Sequence, residues 1–259
     1  MGYRITMIGS GNLASHLAPA LENAGHFVSE VYSRNQAAAK GLCSHLYDAR
    51  HVNSPDFSQS KSAIFIIAVS DDAIEDVSSQ IILPPDSILV HTSGTKSISL
   101  LSGFEQYGSF YPLQTFTKKK KISWEEVPIL VEGSSQETTK HLLALARSIS
   151  AKAFQAPEEK RKLIHLSAVY SANFANHLLY MAKSLLDEKD IDFTILKPLL
   201  SETLTKAFEI DPIKAQTGPA VRRDISTIRE HLKILDNKED FKKIYKDITE
   251  NIIKVHSQS

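Results

Sequence analysis

The sequence is poor in cysteine and has no excess of charge of either sign. Its 259 residues include one cysteine, Cys43, which cannot form an internal disulfide, and no Cys and His residues have the spacing of a zinc site, so we expect no metal. Lys and Arg total 30, as do Asp and Glu, so no global charge indicates nucleic acid or an anionic membrane as a partner. This composition suits a reducing, cytoplasmic compartment.

Long apolar runs are also absent. No run approaches the roughly 20 residues that are needed to span a bilayer, and the first residues lack the basic region and apolar core of a secretory signal. We therefore expect no association with a membrane. The length allows a sizeable core, in one large domain or in two smaller ones.

A glycine-rich turn near the start lies between an apolar run at 5–8 and a helical pattern of leucines at 13–21. This order of strand, turn and helix is the one that a dinucleotide-binding βαβ unit requires. The first glycine would permit a tight turn, the second would let the backbone approach a pyrophosphate, and the amides after it would face the phosphates. The residues of the turn are Gly9, Ser10, Gly11, Asn12, Leu13 and Ala14.

The second predicted strand, residues 27–32, ends without the carboxylate that an NAD site usually places there. The residues that follow it are Ser33, Arg34 and Asn35. A guanidinium beside a hydroxyl and an amide suits a 2′-phosphate, through charge-assisted hydrogen bonds. We therefore expect NADP rather than NAD. The alternative is that Arg34 is an ordinary solvent-facing arginine in a loop.

Two more apolar strands are predicted over 62–69 and 87–90, and polar residues stand at their ends. In an open α/β sheet the ligand binds at the carboxyl ends of the strands. Four residues at these ends are therefore candidates to line the nicotinamide side of the site, although Ser and Thr also cap helices in such positions. They are Val69, Ser70, Thr92 and Ser93.

The alternation of strands and helices stops near residue 156. Beyond it the pattern predicts helices alone, over 158–188, 193–209, 218–235 and 240–256. The sequence therefore predicts the α/β class, with a mostly parallel sheet in a domain of residues 1–156, followed by an all-α domain of residues 157–259.

The helical half carries polar residues that are candidates for a site. His165, Asn173 and Asn176 fall within about 80° of one another if 158–188 is a regular α-helix. They would line a cleft between the domains, or they are hydrogen-bonded polar groups of an ordinary helix. Thr217 is a candidate N-cap for a helix whose start can receive an anion, with a plain helix connection as the alternative.

Seven segments together carry a resemblance that covers nearly the whole sequence: IGSGNLASHLAPAL, SAIFIIAVSDDAI, ILVHTSGT, YPLQTF, HLSAVYSANFANHLLY, LKPLLSETLTKA and AQTGPAVRRD. With them the sequence resembles a bacterial family of Rossmann-like oxidoreductases, which join an NADP-binding domain to a helical C-terminal domain of unassigned function. It is more distantly similar to pyrroline-5-carboxylate reductase and the deazaflavin-dependent NADP reductases. The resemblance implies NADP held by residues 9–14 and 33–35, and a homodimer joined through the helical domains.

The resemblance also bears on the proton donor. Some relatives carry histidine before the proline of YPLQTF, where this sequence has Tyr111. If that histidine donates the proton, Tyr111 or another group must replace it. We expect His165 to be the general acid, because an imidazole titrates near neutral pH. Asn173, Asn176 and Thr217 would orient a small-molecule substrate.

The expected activity is the NADP-dependent transfer of a hydride to or from a small carbonyl or imine compound. The sequence lacks an unambiguous catalytic pair, such as a lysine with an aspartate. A second hypothesis therefore stays open, in which the protein is a non-catalytic NADP-binding redox sensor or partner-binding module.

Overall fold

A computed structural model describes residues 2–117 and 120–257 of the chain. The structure divides into two compact units, residues 1–171 and residues 172–259. Among the described residues, no helix is both long enough and apolar enough to cross a membrane.

The first unit contains one eight-stranded sheet in the order β3-β2-β1-β4-β5-β6-β7-β8. Strands β1 to β6 run parallel, β7 runs antiparallel to β6, and β8 is parallel to β7. The predicted mostly parallel sheet is thereby confirmed. The strands are β1 Arg4–Ile8, β2 Phe27–Tyr32, β3 Arg50–Val52, β4 Ile64–Ile67, β5 Ile88–His91, β6 Gln106–Pro112, β7 Ile129–Gly133 and β8 Ala153–Gln155.

The central strands are apolar on both sides because both faces of the sheet are covered. Along β4, Ile64 and Ile66 pack into one apolar cluster, and Phe65 and Ile67 pack into another on the opposite face. The last residues of β2, β1, β4 and β5 are level with one another in the register. The loops that follow these four strands therefore leave the sheet at one edge.

Among the described residues, five α-helices belong to the first unit and six to the second. The helices of the first unit are α1 Asn12–Asn23, α2 Gln36–Cys43, α3 Ile74–Ser78, α4 Gln136–Ile149 and α5 Glu158–Ala168, with short 3₁₀ helices at Asp71–Ala73, Ile98–Leu101 and Trp124–Glu126. Those of the second are α6 Ala175–Asp187, α7 Lys197–Ile210, α8 Pro212–Ala215, α9 Pro219–Arg222, α10 Ile225–Ile234 and α11 Glu239–Ser257, with a 3₁₀ helix at Phe193–Leu196. Residues 172–257 contain no strand.

Two of the predicted long helices are interrupted. A π-helical turn, Val169–Phe174, separates α5 from α6, so the prediction of one helix over 158–188 is wrong in detail. The predicted helix over 218–235 is broken at Arg223, whose φ of 54° places it in the left-handed region. Asp224 then caps α10 by accepting a hydrogen bond from the Thr227 amide at 3.1 Å.

The division of the structure after Ser171 places α5 with the sheet. The predicted domain boundary, after residue 156, rests on the change from alternating elements to helices alone. The two boundaries differ because α5 is helical, like the second half, while its Arg161 bonds to groups of the first unit.

Candidate functional site

A cleft of about 540 Å³ opens at the sheet edge where β1, β2, β4 and β5 end. Eleven of the residues that line it were cofactor candidates from the sequence: Gly9, Ser10, Gly11, Asn12, Leu13, Ser33, Arg34, Asn35, Val69, Ser70 and Thr92. Two further candidates lie behind the surface. Ala14 is buried in the core beneath the turn, and Ser93 is buried with its hydroxyl bonded to Asp71.

The two glycines of the turn have different reasons for lacking a side chain. Gly9 has a φ of 119°, and a Cβ there would lie 2.2 Å from the Ala68 carbonyl oxygen. A Cβ on Gly11 would meet no described atom within 4 Å. Gly9 is therefore required by the fold itself, whereas Gly11 leaves open space beside the backbone.

Helix α1 begins at this open space without a side-chain cap. Gly11 is its N-cap residue, and the first turn contains no acidic side chain. The first amides of a helix have no partner within the helix, and they favour an anion. The Asn12 side chain is directed elsewhere, since its Nδ2 donates to the Phe116 carbonyl oxygen at 3.1 Å. The start of α1 thus offers backbone donors to the cleft.

The loop after β2 is tied to the glycine turn by hydroxyl groups. Ser10 Oγ donates to Ser33 Oγ at 2.9 Å, and Asn35 Oδ1 caps α2 by accepting from the Ala38 amide at 3.0 Å. Arg34 is exposed at the cleft, and none of the acidic residues that the structure describes pairs with it. Ser33 and Asn35 therefore hold the loop in shape, and Arg34 presents an unpaired charge.

The loops after β4 and β5 place the remaining candidates. Ser70 makes no side-chain cap bond, so capping does not explain it. Thr92 Oγ1 donates to the Ile67 carbonyl oxygen at 3.1 Å, which joins the ends of the two strands. Asp71, which the sequence analysis overlooked, accepts from Ser93 Oγ at 2.7 Å.

The structure brings Tyr111 and His165 together. The Tyr111 hydroxyl lies 2.9 Å from His165 Nδ1, and the two rings meet edge to face. Tyr111 is on β6 and His165 is on α5, and both are half-buried. Gly94 packs against this Tyr111–His165 pair: a Cβ there would lie 2.5 Å from His165 Nδ1 and 2.9 Å from Tyr111 Cζ. Gly94 is two residues from Thr92, so the pair stands close to the cleft.

Burial raises the pKa of Tyr111, the Asp71 carboxylate raises it further, and the Arg161 guanidinium partly opposes both. The phenol therefore stays protonated at neutral pH and can donate a hydrogen bond. Which atom of the pair carries the shared proton depends on the tautomer of His165.

Two fully buried polar residues of the first unit had no role among the candidates from the sequence. His91 ends β5, and Arg161 precedes His165 by four residues on α5. Burial and the Arg161 charge lower the pKa of His91 to about 4. The spacing of Arg161 and His165 was the available signal, because residues four apart share one face of a helix.

The three predicted substrate-binding residues lie in the second unit. Asn173 and Asn176 are exposed, and Asn173 is inside the π-helical turn, so the α-helical geometry that grouped it with His165 does not apply. Thr217 is not the N-cap of α9; Gly218 is. Thr217 instead borders an apolar cavity of about 270 Å³ with residues of α6 and α11. Their role in substrate binding stays a prediction.

Two family models match the chain. One, described as a Rossmann-like domain, matches residues 2–115, and the other, a domain of unknown function (DUF2520), matches residues 127–252. None of the curated proteins compared with the sequence matches it.

Solved structures match the chain along almost its whole length. A protein of Bacteroides fragilis, described as a "putative NADP oxidoreductase", is 32% identical over 98% of both chains, with a TM-score of 0.91. A protein of Thermotoga maritima is 22% identical over 98% of both chains, with a TM-score of 0.72. A reductive aminase of Aspergillus terreus, in complex with NADPH and ethyl-5-oxohexanoate, is 15% identical over 98% of this chain and 94% of its own, with a TM-score of 0.75. The last two likenesses concern the fold alone.

Proposed function

This chain belongs to the family that joins a Rossmann-like domain to the domain of unknown function DUF2520, and we propose that it is an NADP-dependent oxidoreductase. Its reaction is the transfer of a hydride between the nicotinamide and a small carbonyl or imine compound. The observation that carries the proposal is the contact of the Tyr111 hydroxyl with His165 Nδ1 at 2.9 Å, beside the cleft at the carboxyl ends of the strands.

The residues of the cleft suit a dinucleotide phosphate. The open space at Gly11 and the uncapped start of α1 would receive the pyrophosphate. Arg34 would bind the 2′-phosphate of the adenosine, and Ser33 and Asn35 would hold its loop. Val69, Ser70, Thr92 and Ser93 would define the nicotinamide side. When bound, NADP supplies or accepts the hydride.

The Tyr111–His165 pair would handle the proton. The phenol, whose pKa is raised by burial and by Asp71, would donate its hydrogen to the substrate oxygen or nitrogen; His165 Nδ1 would then pass a proton to the phenolate, and the imidazole would regain one from solvent. The pair also explains how tyrosine can stand where some relatives have histidine, since the imidazole is supplied by α5 instead.

The choice of carbonyl and imine compounds rests on the neighbours. The Bacteroides fragilis protein is described as a "putative NADP oxidoreductase", and the Aspergillus terreus structure holds NADPH with a keto ester in a reductive aminase. Asn173, Asn176 and Thr217, all in the helical unit, stay candidates for orienting the substrate. The exposed apolar side chains of that unit support the proposal of a homodimer.

NADPH oxidation against a panel of keto acids, cyclic imines and deazaflavins tests the activity. His165→Ala should lower turnover of the best substrate by roughly 100-fold or more, with little change in NADPH affinity, because Tyr111 then lacks the group that returns its proton during the chemical step. His141→Ala is the matched control: His141 Nδ1 also bonds to a tyrosine hydroxyl, that of Tyr3, at 3.0 Å, and neither residue lines the cleft.

Unchanged turnover in His165→Ala would remove the imidazole from the mechanism. If NADPH binds tightly and no compound of the panel oxidises it, the sensor hypothesis replaces the enzyme.

A further inference from the structure

Arg161 is the largest of the fully buried side chains. Its guanidinium group bonds to the turn that follows β5. Its Nη1 donates to the carbonyl oxygens of Ser93 at 3.1 Å and of Lys96 at 2.8 Å, and its Nη2 pairs with Glu132 Oε2 at 3.2 Å. A buried arginine is costly to desolvate, so three such bonds on one guanidinium fix its position firmly.

The turn that Arg161 holds, residues 93–96, lies against the Tyr111–His165 pair. Within it, Ser93 Oγ accepts from the amides of Thr95 and Lys96 at 3.1 and 3.0 Å. Gly94, between the residues whose carbonyls Arg161 binds, packs so closely on His165 and Tyr111 that no Cβ fits. If the turn shifted toward Tyr111 and His165, Gly94 would displace one of these two side chains.

Arg161 and His165 are also one helical turn apart on α5. The guanidinium thus joins α5, which carries His165, to the 93–96 turn. Through Glu132 it also joins α5 to β7, which pairs with β6, and β6 carries Tyr111. We propose that Arg161 is a positioning residue, which sets the contact between Tyr111 and His165 by fixing the 93–96 turn against α5. The expected loss of kcat rests on the proposed function, whereas the effect of Arg161 on the contact between Tyr111 and His165 rests on geometry alone.

A merely structural arginine would stabilise the fold without acting through the pair. A double-mutant cycle separates the two roles. Arg161→Met should lower kcat by about tenfold or more in the otherwise unchanged enzyme and by less than about twofold in the His165→Ala background, because the function of the pair is already lost there. Lys162→Met is the matched control, since it removes a cation from the neighbouring, exposed position and should leave kcat unchanged. Equal losses in both backgrounds would overturn the proposal.

A second measurement needs no turnover. With tyrosines labelled at Cζ, and with Tyr111→Phe to identify the resonance among the 8 tyrosines, the titration of Tyr111 is followed by NMR in the full-length protein. Because the Arg161 charge acts on the Tyr111 pKa directly, the informative variant is Arg161→Lys, which keeps the charge but cannot make the three bonds of the guanidinium; it should change the Tyr111 titration because the contact with His165 is altered. A folded Arg161→Lys protein with an unchanged Tyr111 titration would make Arg161 structural only, whether or not the protein is an enzyme.

If Arg161→Met does not fold, Gly94→Ala tests the same contact from the other side. Its methyl group must displace His165 or Tyr111 while Arg161 stays intact. It should lower kcat by about tenfold in the otherwise unchanged enzyme. Like Arg161→Met, it should cause little further loss of kcat in the His165→Ala background. A Gly94→Ala enzyme with full turnover would show that the position of the turn does not control the pair, and would overturn the proposal.

Discussion

Arg34 presents an exposed guanidinium where the adenosine of a dinucleotide would lie, with Ser33 and Asn35 engaged in local hydrogen bonds on either side. Arg34→Ala should weaken NADPH binding by roughly 1–3 kcal/mol, the range for a hydrogen bond to a charged group, and should hardly change NADH binding. Isothermal titration calorimetry with both cofactors measures the two effects.

The control for Arg34 is Lys40→Ala, which removes an exposed cation from α2 without altering the cleft. It should leave the preference between the two cofactors unchanged. Equal losses of NADPH and NADH affinity in Arg34→Ala would show that the arginine does not read the 2′-phosphate.

At the scale of an element, the carboxyl end of β5 carries a histidine that is fully buried. Burial, with the nearby Arg161 charge, lowers the pKa of His91 to about 4, against contributions from the Ser97 backbone, Asp71 and Glu158 that raise it. In the unfolded chain the imidazole takes up its proton near its ordinary value of about 6.5. His91 therefore does not destabilise the folded state above that pH, and it destabilises the folded state increasingly as the pH falls toward 4.

The loss from His91 should reach about 3 kcal/mol at pH 4, since each pKa unit corresponds to about 1.4 kcal/mol. Urea unfolding of the wild type and of His91→Asn at pH 7 and pH 4 measures it. The free energy of unfolding should fall less between the two pH values in His91→Asn than in the wild type. His45→Asn, at an exposed histidine, should behave as the wild type does. The same pH dependence in His91→Asn would mean that the imidazole is not held neutral.

Other elements differ in how far their sequence determines them. The strands 62–69 and 87–90 were predictable because a strand covered on both faces must be apolar throughout. The short strand Arg50–Val52 is half-exposed, and Gln106–Pro112 contains glycine, serine and proline, so neither has a strand pattern. Both form because a neighbouring strand supplies their hydrogen bonds, which is a property of the assembled sheet.

At the scale of the whole molecule, the helical unit exposes large apolar side chains that the chain itself leaves uncovered. On α7 they include Leu199, Leu204 and Phe208, and Phe208 is 90% exposed. Exposed apolar surface is one of the features of protein–protein contacts, and the proposed homodimer rests on it. If the protein is a homodimer joined through this unit, Phe208→Glu should raise the dimer dissociation constant by at least about tenfold, one buried aromatic side chain being worth about 1.5–3 kcal/mol.

Light scattering across a dilution series measures the oligomeric state. Thr205→Glu introduces the same charge at another exposed position of α7 without removing an apolar side chain, and it serves as the control. A wild type that is monomeric at every concentration would exclude the homodimer, and a dimer equally stable in Phe208→Glu would place its interface elsewhere.

Features that depend on neighbours along the chain were predictable from the amino-acid sequence. The turn from Gly9 to Ala14, the loop with Arg34 and the alternation of elements are local, because a strand, a glycine turn and a helix follow one another directly. The contact of Tyr111 with His165, 54 residues apart, and the burial of Arg161 against the 93–96 turn were visible only in the folded protein. Such contacts depend on strand order, on register and on where α5 packs, and these follow from the summed burial of the whole unit rather than from any one motif.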